Sequence, residues 1–162
     1  DDNRVRAVCH ACNTIHYDNP RMIVGCIAEW EDKILLCRRA IEPRAGLWTL
    51  PAGFMENAET TAEAAARETL EEACARVEIG PIFSFINVPH INQVHILYRA
   101  RLLDLDFAPG HESLEVELFE EAAIPWQEIA FRTIGMTLRH YFEDRKAGSF
   151  GFHARDLVYA QK

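Results

Sequence analysis

The stretch that decides the fold is Gly53-Phe54-Met55-Glu56-Asn57-Ala58-Glu59-Thr60-Thr61-Ala62-Glu63-Ala64-Ala65-Ala66-Arg67-Glu68-Thr69-Leu70-Glu71-Glu72-Ala73-Cys74-Ala75, a loop that runs into a helix. Thr60 followed three residues later by Glu63 is a capping box, and the run behind it is made almost wholly of strong helix formers. Stepping about 100° per residue, Glu68, Glu71 and Glu72 fall within an arc of about 100°, so three carboxylates point toward one volume. The stripe Ala62, Ala65, Ala66, Leu70, Ala73 is thin and built of small side chains. A helix of this kind lies close to whatever it covers, and a sheet is the natural partner.

Like charges at i and i+4, as at Glu68 and Glu72, destabilise an isolated helix by a few tenths of a kcal/mol. One reading is a solvated face on which Arg67 pairs with Glu63 and Glu71. The approach to the helix favours another: a rigid Pro51-Ala52-Gly53 turn and a loop with two further acids, Glu56 and Glu59, frame it. Clustered oxygen donors suit Mg²⁺ or Mn²⁺ and not a thiol-preferring metal. Mg²⁺ keeps several waters and is shared with phosphates, so the ligand set points to chemistry on a phosphate.

Working outward, residues 22–29 read as a strand buried on both faces, and 30–33 carry the turn into a second strand at 34–38, giving a hairpin. Residues 40–47 hold Pro43 and Gly46 and form a loop, followed by a short apolar piece at 47–50. Strands follow at 76–86, 93–103 and, after the Pro109-Gly110 turn, 115–120. A second helix covers 129–142, with Ile134, Leu138, Tyr141 and Phe142 on one side. The order β-β-α-β-β-β-α describes an α/β domain with a mixed sheet carrying helices on its faces. Arg38 and Arg39 leave a strand on opposite faces, whereas Gln93 and His95 share one.

Chain length and composition bound the function. The 162 residues, 49% hydrophobic and 26% charged, fit one globular domain core with room for a small appendage. A formal charge of -8 argues against a nonspecific nucleic-acid coat, although arginines and bound metal can invert the field inside one cleft. No apolar run approaches the roughly 20 residues of a membrane span, and no targeting element is visible. Of five cysteines only Cys9 and Cys12 are close in sequence, in one Cys-x-x-Cys. Cys26, Cys37 and Cys74 fall in apolar or helical runs, which suits free thiols in a reducing, cytoplasmic compartment. A structural zinc ribbon needs four ligands, so Cys9 and Cys12 are either half of a ribbon or an incidental pair of thiols.

Gly53, five residues, Glu59, seven residues, Arg67-Glu68, then Thr69-Leu70-Glu71-Glu72-Ala73-Cys74-Ala75 resembles the signature of the Nudix hydrolases, Gly-x5-Glu-x7-Arg-Glu-U-x-Glu-Glu-x-Gly-U, with U aliphatic. Two positions depart. Thr69 replaces an aliphatic residue, and Cys74 replaces a glycine that normally leaves the helix at positive φ, so the end is either strained by about 1 kcal/mol or the helix runs on. Residues 21–145 resemble a whole Nudix domain, an α/β/α sandwich, with Leu47-Trp48-Thr49-Leu50-Pro51-Ala52-Gly53-Phe54 similar to the approach to the motif. Residues 146–162 form a C-terminal extension. Residues 1–20, with Asp2-Asn3-Arg4-Val5-Arg6-Ala7-Val8-Cys9-His10-Ala11-Cys12, resemble the end of a zinc ribbon in a branch that includes plant plastid FAD diphosphatases, as does Phe107-Ala108-Pro109-Gly110-His111-Glu112-Ser113-Leu114-Glu115.

The resemblance implies an enzyme that splits a nucleoside diphosphate linked to a second group, giving a nucleoside monophosphate and the phosphorylated partner. Under it Glu68, Glu71 and Glu72 and the carbonyl of Ala52 hold Mg²⁺ or Mn²⁺, and Cys9 and Cys12 hold Zn²⁺ if the ribbon is complete. Glu115, preferred over Glu112, adds a ligand or the general base. Arg67 pairs with Glu59 and orients a glutamate, and Gly53, Glu56 and Glu59 support the ligands from behind. Arg39, Phe85, Gln93 and His95 are the substrate-binding candidates; a surface position is the alternative for Arg39 and core packing for Phe85. FAD ranks first as substrate, ahead of ADP-ribose and NADH. A house-cleaning nucleoside triphosphate pyrophosphatase, a noncatalytic nucleotide sensor and an RNA decapping enzyme are the competing readings, the last weakened by the acidic balance. A homodimer is an assembly that the resemblance allows; no nucleic-acid or membrane partner is expected.

Overall fold

A computed structural model describes residues 4–158. Its elements are, in chain order, β1 (Ala7–Val8), β2 (Ile15–His16), β3 (Arg21–Trp30), β4 (Lys33–Arg39), β5 (Trp48–Thr49), β6 (Ala52–Phe54), α1 (Thr61–Ala73), β7 (Val77–Val88), β8 (Gln93–Leu102), β9 (Ser113–Phe119), α2 (Arg132–Ala147) and β10 (His153–Asp156). The mixed sheet expected from the element order is present, in the order β10-β7-β8-β3-β4-β5, with β6 paired to β3 and β9 to β4.

Alternation along β3 divides the core. Val24, Cys26 and Ala28 face one side and pack with Ala64, Ala65 and Ala73 of α1, while Ile27 faces the other and packs with Ile134, Leu138, Tyr141 and Phe142 of α2. One edge of β3 runs beside β8 in parallel; the other is shared. The hairpin expected at 22–38 pairs only Glu29 with Ile34 and Trp30 with Lys33, after which Ile23, Val24 and Gly25 pair with Phe54, Gly53 and Ala52 of β6. Gly25 is required there, because a Cβ would strike the Pro51 carbonyl and Ala52. This split carries the Pro51-Ala52-Gly53 turn into the middle of the sheet, beside α1.

The capping box of α1 forms as expected: Glu63 N–H donates to Thr60 Oγ1 at 3.2 Å and Thr60 N–H donates to Glu63 Oε2 at 2.7 Å. The helix ends at Ala73, and Cys74 takes the left-handed position with φ 49°. Of the two alternatives at that site, the strained end is the one adopted. The second helix starts later than expected, at Arg132, because Ala130 N–H bonds the Trp48 carbonyl at 2.8 Å and Ile129 bridges Trp48; it runs on to a left-handed Gly148. Part of the C-terminal extension joins the sheet, since β10 lies parallel to β7.

Residues 7–16 form a small hairpin, with Cys9 and Cys12 in its turn, where Cys9 N–H bonds the Thr14 carbonyl at 2.9 Å. No zinc-ribbon segment is evident: among the described residues no His, Cys, Asp or Glu joins the two cysteines in a metal site. Asp2 and Asn3, part of the ribbon-like stretch, lie outside the described residues. No helix among the described residues is long and apolar enough to cross a membrane.

Candidate active site

The inner face of α1 differs from the stripe read in the sequence. Leu70 is 52% exposed, and the buried face is Ala64, Ala65, Glu68, Thr69, Glu72 and Ala73, with Glu68 at 8% and Glu72 at 7%. Two of the three carboxylates therefore sit on the packed side of the helix, which a merely solvated face would not place there. Thr69, the residue standing in for an aliphatic one, is fully buried and satisfied: its Oγ1 donates to the Ala65 carbonyl at 2.8 Å and meets Cys26 Sγ at 2.8 Å.

The loop before the helix is fitted to these acids. A Cβ on Gly53 would collide with the Glu68 carboxylate, so only glycine lets β6 pass so near. Arg67 is the hub. Its Nε and Nη2 donate to Glu59 at 3.0 and 2.8 Å, its Nη1 to Glu68 at 2.8 Å and Glu71 at 3.1 Å, and its Nη2 also to the Phe54 carbonyl at 3.1 Å. The bidentate pair and the Glu56 N–H, which donates to Glu59 at 2.6 Å, hold the Glu59 carboxyl down at about 2. Glu56 thus contributes its backbone, while its side chain is exposed.

The charge of the cluster is uncompensated where it is deepest. Burial pushes the Glu72 carboxyl up to about 8, a bond from the Ala52 N–H at 3.1 Å and the Arg39 charge oppose this, and Glu68 and Glu112 add to it. Burial also raises Glu68, against the pull of Arg67, with Glu71 and Glu112 raising it further. The expected convergence is only partial. Glu68 and Glu71 share one guanidinium nitrogen whereas Glu72 turns to the Ala52 backbone, and no three such side chains among the described residues form a ready cage. The donor set still fits a hard divalent cation: the charges of Glu71 and Glu112 reach Glu68, those of Glu68 and Glu112 reach Glu72, and the atoms these side chains offer are oxygens.

A loop brings the fourth acid in. Ala108 N–H donates to the Ala73 carbonyl and Gly110 N–H to the Glu72 carbonyl, each at 2.9 Å, and a Cβ on Gly110 would meet the Glu71 carbonyl. The Pro109-Gly110 turn therefore seals the C-terminal end of α1. Glu112 follows two residues after Gly110, its carbonyl accepting from Ala40 N–H at 2.8 Å. Glu115 goes elsewhere. It stands opposite Arg38 across β4 and β9 and bonds it at 3.1 Å, while its neighbour Val116 packs on the α1 side. Alternation thus turns Glu115 to the sheet face away from α1, and the acid whose charge reaches Glu68 and Glu72 is Glu112.

The substrate candidates are divided by the sheet. Gln93 and His95 lie on the α2 side, His95 Nδ1 meeting Thr133 Oγ1 at 3.1 Å and Nε2 meeting Gln93 Oε1 at 2.9 Å; burial pushes His95 down to about 4. Phe85, opposite Ile96, packs on the α1-side cluster and does not join them. Arg39 bonds the Pro43 carbonyl at 2.9 Å and lies over the Phe131 ring at 5.0 Å, linking the Glu72 side of the site to the start of α2. Phe131 and Thr133 carried no distinguishing signal in the sequence, because only the docking of α2 brings them here.

Comparison with known proteins bears on the family and the fold. The NUDIX domain family model matches residues 19–146. The chain is 30% identical over 113 residues to an ADP-ribose pyrophosphatase of Methanocaldococcus jannaschii, covering 67% of each. It is 26% identical over 122 residues to the NAD-capped RNA hydrolase NudC of Photobacterium profundum, covering 75% of this chain and 46% of that protein. Among solved structures, a NUDIX hydrolase from Nitrosomonas europaea matches at a TM-score of 0.92 and 60% identity, over 94% of this chain and 86% of that one.

Proposed function

The chain belongs to the Nudix hydrolase family and is a metal-dependent pyrophosphatase, and from that premise we propose that it cleaves the diphosphate of a dinucleotide-type substrate, FAD first and ADP-ribose second, releasing AMP and FMN or ribose 5-phosphate. The observation that carries this reading is the inward turn of Glu68 and Glu72, two acids buried beside a glycine turn with Glu112 brought against them. The family uses Mg²⁺ or Mn²⁺, and Glu68, Glu71, Glu72 and Glu112 would hold the ions, with the Ala52 carbonyl beside them. Held by these residues, Mg²⁺ or Mn²⁺ would supply Lewis acidity for the attacking water and positive charge against the diphosphate.

Glu112, in place of Glu115, is the loop acid of this reading: its charge reaches Glu68 and Glu72, and it would accept the proton of that water. Arg67 keeps Glu68 and Glu71 in place, and Arg39, beside Glu72, offsets the substrate's diphosphate. The zinc-ribbon branch supports FAD through residues 107–115 and through the N-terminal stretch, where Cys9 and Cys12 would need further ligands. Five free cysteines support a reducing, cytoplasmic setting. A screen of FAD, ADP-ribose, NADH and nucleoside triphosphates with Mg²⁺ or Mn²⁺, reading released AMP, tests the assignment. Turnover of FAD well above that of triphosphates is expected; preferential release of pyrophosphate from triphosphates would replace it with the house-cleaning activity.

A further inference from the structure

Of the four acids at the site, one is held by its main chain alone. Arg67 and the Ala52 N–H take the carboxylates of Glu68, Glu71 and Glu72, but the exposed carboxylate of Glu112 has no hydrogen-bond or ion-pair partner among the described residues. Where Glu112 stands is therefore decided by the backbone on either side of it.

Two contacts do this. Before Glu112, the final carbonyl groups of α1 are capped from a distant part of the chain: Gly110 N–H donates to the Glu72 carbonyl and Ala108 N–H to the Ala73 carbonyl, each at 2.9 Å. Glu72 is thereby a node, its carboxylate taking the Ala52 N–H and its carbonyl taking Gly110. A Cβ on Gly110 would run into the Glu71 carbonyl oxygen, which belongs to the helix backbone and cannot step aside, so only glycine lets the loop lie this close. On the other side of the acid, Ala40 N–H donates to the Glu112 carbonyl at 2.8 Å, just past the end of β4. The pairing of β4 with β9 shifts between Arg38 and Arg39, Arg38 facing Glu115 and Arg39 facing Ser113, which makes Leu114 an extra residue on β9. In an unbroken ladder Ser113 would face Ala40; the bulge sets Glu112 there instead. Arg39, next to Ala40, is the arginine whose charge reaches Glu72.

We infer that Gly110 is a positioning residue for hydrolysis: by docking on the Glu72 carbonyl, with Ala40 holding the far side, it fixes the backbone of Glu112 against α1 and so brings this acid to those of the helix. The inference rests on the reading of Glu112 as the loop acid of the site and names what places it there.

The test is a double-mutant cycle on kcat for FAD and ADP-ribose between Gly110→Ala (G110A) and Glu112→Gln (E112Q), with circular dichroism as the control for folding. E112Q should lower kcat by about a hundredfold and G110A by at least about tenfold, with KM changing by about twofold or less in each. Because Gly110 acts through Glu112, G110A placed in the E112Q background should cost less than about a further twofold. Losses that multiply, or full activity of either single variant, would overturn the inference, since a general loosening of the fold costs the same with or without the acid. Ala40→Pro (A40P) removes the donor to Glu112 and leaves the helix cap whole; it runs through the same cycle with the same expectation, and it replaces G110A if that variant does not fold. If wild type cleaves neither substrate, the functional reading falls, and the inference is then judged on Mn²⁺ affinity without substrate, read by electron paramagnetic resonance. There G110A and E112Q should weaken binding by the same factor, and the double variant by no more than either. Additive losses, or unchanged affinity in G110A, refute it.

Discussion

The Cα of Gly53 lies against the carboxylate of Glu68, so closely that a methyl group in its place would occupy the space of the acid. The turn and the helix are therefore fitted parts of one device. Gly53→Ala (G53A) should displace Glu68 or open the β3–β6 pairing, and a misplacement of this kind costs about a hundredfold in kcat. Steady-state kinetics with circular dichroism as a control checks it: activity falls while the helix content stays.

Glu59 tests the support of the site from behind. Its two oxygens take Nε and Nη2 of Arg67, and the same guanidinium holds Glu68 and Glu71. Glu59→Gln (E59Q) should lower kcat by about tenfold with the order of substrate preference unchanged. A changed preference among nucleotides would give Glu59 a direct role at the substrate.

Cys74 occupies a left-handed position at φ 49° where glycine is at ease, and its side chain is exposed, so no packing is lost on removing it. Cys74→Gly (C74G) should stabilise the fold by about 0.5–1 kcal/mol, the relief of steric cost exceeding the added freedom of the unfolded chain. Urea unfolding measures this, and unaltered or lower stability would mean that the position carries no strain.

His95 predicts an acid-side loss of stability. Burial holds its imidazole down at about 4, against 6.5 for the free group. Above pH 6.5 neither state is protonated and nothing is lost. As pH falls from 6.5 toward 4, only the unfolded chain takes up the proton, so stability drops, by about 2 kcal/mol at pH 5. His95→Gln (H95Q) should remove most of that difference between pH 7 and pH 5 in denaturant titrations, while an unchanged pH profile would place the imidazole in water.

What the sequence made legible was local. The Thr60–Glu63 cap depends on residues three apart, and the turn at 30–33 lies between two plainly apolar runs, so both were readable. β6 was not, because Ala52–Phe54 is three residues long with a central glycine, and only its pairing with β3 makes it a strand. Hydrophobicity placed Leu70 on the inner face of α1, yet the structure turns Glu68 and Glu72 inward and leaves Leu70 in water. Two acids on the packed face reverse the usual partition, so the pattern that serves elsewhere misleads at this helix. The choice between Glu112 and Glu115 depends on a register shift at Arg38/Arg39 and on Gly110 docking to α1, both contacts between distant parts of the chain.

The central claim is that the buried acids of α1 hold the cations on which diphosphate cleavage depends. Turnover of FAD and ADP-ribose by Glu72→Gln (E72Q) at saturating Mg²⁺ tests it most directly, with thermal unfolding to show that the fold persists. The account predicts a loss of at least about a hundredfold in kcat in a protein that stays folded, because glutamine keeps the size of the side chain and an acceptor for the Ala52 N–H. Wild-type turnover in that variant would contradict it.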